Sequence, residues 1–167
     1  MSKRPDDLKL GSRLVIGAVA GFVGTMAVGM ALRRLHAGRA PKERSPLTPR
    51  AIVDSGAKQA GEAAKEINAA AHLAYGAATG AVLAAMNPDP GKRTGALYGA
   101  ALWLAGSMGW IPAIADPKPA TLHPPRRNFT MIGVHIVWGA ATAVAIRALR
   151  GAREAVIGND ADRDVPR

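Results

Sequence analysis

Four stretches of this chain carry no Asp, Glu, Lys or Arg: residues 14–32, 67–88, 94–115 and 128–146, which are 19, 22, 22 and 19 residues long. At an overall charge content of 20%, a given window of nineteen escapes all charge roughly once in seventy, so four in one small chain are not chance. Each run matches the roughly 20 apolar residues that a helix needs to cross a hydrocarbon core about 30 Å thick. The pattern therefore predicts an all-α integral membrane bundle of four transmembrane helices and excludes an ordinary soluble domain. It also changes the meaning of the net charge of +10. The basic residues flank the spans, so they predict contact with anionic lipid headgroups of the bilayer and no nucleic-acid partner.

The chain divides into a basic flank, residues 1–13, a membrane domain, 14–149, and a polar tail, 150–167, with an extramembrane linker and surface helix over 35–66. Leu, Ile, Val and Phe drive insertion most strongly. The first and fourth spans hold eight and seven of them, the second and third only four and five. The two weak spans are expected to enter as a hairpin around Asn87-Pro88-Asp89-Pro90-Gly91-Lys92-Arg93, a sequence of helix breakers and polar residues. Lys3, Arg4, Lys9 and Arg13 ahead of an apolar run resemble a secretory leader, but the run is longer than a leader's and ends in Arg33-Arg34, so it is read as a retained span.

Within 35–66, Pro41 to Pro49 is a breaker-rich linker, with Thr48 as an expected N-cap and Pro49 at the first helical position. Asp54, Lys58, Glu62 and Glu66 then recur every four residues, the mark of a solvated helix running on into span two. The four prolines between Asp116 and Asn128 predict an extended linker, and the tail from Gly158 is too polar to pack and is expected to be disordered.

Four spans put both termini on one side. Eleven Lys and Arg fall on that side and eleven on the other, so the positive-inside rule decides nothing beyond the basic N-terminal flank, which favours cytoplasmic termini.

Small residues recur at i+4 in every span: Gly17, Gly21, Thr25 and Gly29; Gly76 and Gly80; Gly95 and Gly99; Gly139 and Ala143. Lipid offers helices little hydrophobic drive to associate, so such faces matter by letting backbones approach closely. They serve either to hold the four helices together or to join a homo-oligomer or larger membrane complex. In addition, His72-Leu-Ala-Tyr75-Gly76-Ala-Ala-Thr79-Gly80 matches His135-Ile-Val-Trp138-Gly139-Ala-Ala-Thr142-Ala143 at five of nine positions. Spans two and four run the same way, which reads as a parallel duplication of a two-helix hairpin.

The repeat sets His72 and His135 at similar depth, with Tyr75 and Trp138 one turn away and His36 and His123 in the linkers on the same side. An ionisable group inside a span is a functional-site hypothesis, and imidazole titrates near neutral pH. A proton-responsive or polar site at this layer, with Glu66 and Asp116 as available carboxylates, stands against a plainer reading. In the plainer one each imidazole bonds to a neighbouring helix and packs on its aromatic neighbour. Two intramembrane nitrogens fall short of a zinc site, and the chain has no Cys, so no metal or other cofactor is expected. The glycine-rich runs lie inside spans and are not phosphate loops. No catalytic set is present, and no enzyme is expected.

The chain resembles the YagU-like group of small bacterial inner-membrane proteins of unknown function. The likeness runs over residues 12–149 and rests on Gly17-Ala-Val-Ala-Gly21-Phe-Val-Gly24-Thr25-Met26, Thr48-Pro49-Arg50, His72-Leu-Ala-Tyr75-Gly76 and Gly109-Trp110-Ile111-Pro112. The resemblance implies a bacterial inner membrane and supplies no catalytic residues. Two functional readings remain open: a structural or accessory subunit that packs through its Gly/Ala faces, and a small pH-responsive channel or transporter built on the His72 and His135 layer.

Overall fold

The computed structural model describes residues 8–37, 48–110 and 125–163. They form four α-helices: α1 (Leu10–Ala37), α2 (Thr48–Met86), α3 (Lys92–Ala105), continued by a π-helical segment (Gly106–Trp110), and α4 (Pro125–Arg163). Three of them are long and apolar enough to cross a membrane, over Leu10–Arg34, Ala69–Met86 and Asn128–Ala155. The chain is thus a helical protein with the build of a multi-pass membrane protein. α3 has 14 residues, a length of about 21 Å at 1.5 Å per residue, and falls short of a full crossing alone.

Many large apolar side chains face outward and many small ones inward. Val15, Val23, Leu97, Phe129 and Val137 are exposed, whereas Ala20, Ala84, Ala143 and Thr142 are buried together with Leu83, Met131, Trp138 and Ile146. In water this would be inside out. In a bilayer it is what packing favours, because a large apolar side chain gains little by leaving lipid while small ones allow backbone contact.

The glycine faces show where that contact occurs. A methyl group on Gly17 or Gly21 of α1 would overlap the backbone oxygen of Gly80 or Gly76 of α2, respectively. On the other side of the molecule, a methyl on Gly95 or Gly99 of α3 would overlap the carbonyl of Gly139 or His135 of α4. Seven of the eight glycines in these small-residue faces thus lie at close helix crossings within the chain. Gly29, which shares the spacing of the α1 set, has nothing near it.

α1 therefore packs along α2, and α3 along α4, in two antiparallel pairs that meet through α1 and α4. The weak spans behave differently from the expected hairpin. α2 and α3 are joined by a tight turn, yet they barely touch along their length, because each has turned its glycine face to a different partner. The turn itself is shorter than the expected linker: α2 ends at Met86, and Lys92 and Arg93 already belong to α3. The Asn87 side-chain oxygen accepts from Asp89 N at 3.1 Å, and the extended backbone of Gly91 starts α3. Arg150 of α4 donates to the Pro88 carbonyl, and Arg147 Nε lies 3.1 Å from the Asp89 carboxylate, so α4 straps the turn down.

Two boundaries move. α2 begins at Thr48 itself and runs unbroken into the second span, and α4 continues to Arg163, through residues 158–163 that were expected to be disordered. Adding residues to an existing helix avoids the cost of nucleation, so a polar but helix-tolerant extension remains helical. The linkers 38–47 and 111–124, including the end of the predicted third span, Asp116 and His123, lie outside the described residues, as do the first seven and last four.

Candidate functional site

Where α2 and α3 diverge, a cleft of about 400 Å³, part of it open to the surroundings, remains between the two helix pairs. All four helices line it. α2 supplies His72, Tyr75, Gly76 and Thr79; α4 supplies Val134, His135 and Trp138; α1 supplies Thr25 and Val28, and α3 supplies Leu102. On each long helix these residues recur at three- and four-residue intervals, which is what places them on one face.

The structure brings all four predicted polar-site residues, His72, Tyr75, His135 and Trp138, to this one cleft. It also adds residues that sequence reasoning passed over. Trp138 Nε1 donates to the Thr25 hydroxyl at 3.0 Å, and that hydroxyl donates to the Gly21 carbonyl at 2.8 Å. Tyr98 donates its hydroxyl to the Thr79 carbonyl at 2.8 Å, and its ring lies 6.4 Å from that of Trp138. These two links tie α1 to α4 and α2 to α3; Thr25, Thr79 and Trp138 line the cleft and make its floor, with Tyr98 behind them against the core. The signal for them was available: Thr25, Thr79 and Tyr98 are polar groups inside charge-free runs, where each must find a partner.

His135 does not reach a neighbouring helix. Its Nδ1 lies 2.8 Å from the Met131 carbonyl of its own helix. A carbonyl oxygen can only accept, so Nδ1 carries the proton and, in the neutral ring, Nε2 is left as an acceptor. His72, on α2, is exposed on the open side of the cleft. Glu66 is exposed and does not line the cleft, and His36 sits in the last turn of α1. Among the described residues, no group of three or more His, Asp or Glu is placed to hold a metal ion.

Below the floor the interior is filled. Ala20, Leu83, Ala84 and Ile146 form a fully buried cluster, with Ile16, Tyr98 and Ala145 packed against it. Among the described residues this cluster fills the interior between the cleft and the α2–α3 turn.

The two matching segments sit in comparable surroundings. Gly76 and Gly139 occupy equivalent crossings, and both imidazoles sit one turn beyond them. The side chains then diverge. Thr79 donates its hydroxyl to the Tyr75 carbonyl at 2.8 Å, whereas the Thr142 hydroxyl is buried against Gly24 without a hydrogen-bond partner.

Compared with known protein families, curated proteins and solved structures, the chain matches none.

Proposed function

We propose that this is a four-span protein of the bacterial inner membrane, built from a duplicated helix pair, that acts without catalysis by binding a small molecule in the cleft between its helix pairs. The observation that carries this reading is that all four helices contribute to one largely apolar cavity, into which His72, Tyr75, Thr79 and His135 bring polar groups, inside the apolar zone. The fourth crossing is α3 with its π-helical continuation, which together make nineteen residues from Lys92 to Trp110, close to the roughly 20 a crossing requires. The resemblance to the YagU-like group is the ground for choosing the inner membrane. Arg13, Lys92, Arg93 and Arg147 gather at the turn end, where they suit anionic headgroups.

The cleft favours binding over both readings drawn from the sequence. A channel needs a continuous path, and the Ala20, Leu83, Ala84 and Ile146 cluster fills the space below the floor. An accessory subunit docking through its glycine faces would need those faces free, and the close ones are occupied within the chain. An accessory role then runs through the cleft's ligand. The non-enzymatic reading rests on the lining, which among the described residues offers two imidazoles but no carboxylate or activated nucleophile.

The absence of native cysteine makes a direct test available. In proteoliposomes, Leu102→Cys, at the cleft wall, should react with a small maleimide, while Ala84→Cys, in the sealing cluster, stays protected, and the vesicles should show no protein-dependent proton leak. Equal labelling of the two positions, or a leak removed by His72→Gln and His135→Gln together, would overturn the binding reading, the latter in favour of a pore.

A further inference from the structure

We infer that the cleft's ligand is a neutral amphiphile with a phenolic or hydroquinone head, the hydroxyl bonded to His135 and the ring held among aromatic side chains. This rests on the binding reading above and adds the class of molecule bound.

The hydrogen-bond inventory sets the head. His135 Nδ1 is engaged by its own helix, so the ring can offer the cleft only Nε2, an acceptor. A ligand satisfies it with a hydroxyl or N–H donor, and a ketone, ether or quinone carbonyl cannot. His72, across the cleft on α2, can donate a ring N–H to the same hydroxyl's oxygen, since a hydroxyl both donates and accepts. Among the described residues no carboxylate, Lys or Arg lines the cavity, so they offer a charged head no counter-ion. That favours a neutral head over a phosphate, a carboxylate or a quaternary amine.

The walls set the shape. Tyr75 and Trp138, at equivalent positions of the two helix pairs, supply aromatic surface at the level of the imidazoles, which favours a flat ring over a flexible alcohol. Val28 and Leu102 supply apolar surface along which a hydrocarbon tail can lie. His72 lines the cleft and is itself exposed, so the cavity is open on that side.

The test uses the full chain in nanodiscs and a fluorinated para-octylphenol followed by fluorine NMR, with its methyl ether and octanol as competitors. The expected result is a saturable site for the phenol that the ether displaces roughly 3- to 10-fold more weakly than unlabelled phenol does, the loss of one net hydrogen bond. His135→Phe should erase that difference, while His135→Gln, which keeps an acceptor, should retain part of it. Equal competition by phenol and ether, or by phenol and octanol, would overturn the inference, and so would the absence of saturable binding. Those comparisons are made on the unaltered protein, so they decide even if His135→Phe does not fold. A cleft that labels at Leu102→Cys but takes no phenol leaves the binding reading intact and removes this one alone.

Discussion

Gly21 and Gly29 lie two turns apart on the same helix, and replacing each by alanine should have opposite effects. At Gly21 the new methyl would overlap the backbone oxygen and carbon of Gly76 and the Cα of Gly80. None of these atoms can rotate away, so α1 and α2 must separate. Forcing extra volume into a packed site costs about 1–3 kcal/mol. Against this, alanine is about 1 kcal/mol better than glycine inside a helix. Gly21→Ala should therefore be destabilising by up to about 2 kcal/mol. Gly29 has nothing within 4 Å, so Gly29→Ala keeps only the propensity gain. The propensity term is common to both and cancels in the comparison, leaving a difference of about 1–3 kcal/mol, or roughly 5- to 150-fold in the unfolding equilibrium. Unfolding by sodium dodecyl sulfate in mixed micelles, monitored by helix content and tryptophan fluorescence, measures both variants on one scale. Equal midpoints would refute the close crossing of α1 and α2, and a lower midpoint for Gly29→Ala than for Gly21→Ala would place the helix contact on the wrong part of α1.

The other predictions use the same unfolding assay. Trp138→Phe removes the bond to Thr25 and should cost about 0.6 kcal/mol, as interhelical hydrogen bonds in membranes do on average; the cost should vanish in a Thr25→Val background if the pair is direct. Thr142→Val replaces a buried hydroxyl that has no partner with a methyl of similar size and should stabilise by about 1 kcal/mol, with a loss of stability refuting the unsatisfied geometry. Asp89→Asn breaks an exposed ion pair with Arg147 and a longer one, 3.7 Å, with the buried Arg150, which keeps Glu154 and the Pro88 carbonyl as partners, so it should cost about 1 kcal/mol, only partly screened by high salt; a shift that high salt abolishes would mean that the Arg150 contact contributes nothing.

Particular residues show why some features were legible in the sequence and others were not. The repeat around His72 and His135 placed both imidazoles at one level, and their neighbours Tyr75 and Trp138 came with them, because three- and four-residue spacing on a helix settles which side chains share a face. Tyr98 was invisible as a site residue, since nothing in the α3 sequence says that its hydroxyl meets the Thr79 carbonyl on α2. His135 was expected to bond across to another helix; the carbonyl four residues back was nearer. The glycine pairs were marked as packing faces, but spacing cannot assign Gly17 and Gly21 to α2 or Gly95 and Gly99 to α4.

By itself the sequence determined that the protein is helical, roughly where its helices run and that lipid surrounds them. Each of these follows from local chemistry: a charge-free run must satisfy its backbone hydrogen bonds within itself to enter a bilayer. The tertiary structure decided which helices pair, that the weak second and third helices lean on α1 and α4 instead of each other, and that a cleft lined by all four helices is left between the pairs. Those outcomes depend on how closely two particular backbones can approach, which is a property of facing surfaces that no single stretch of sequence contains.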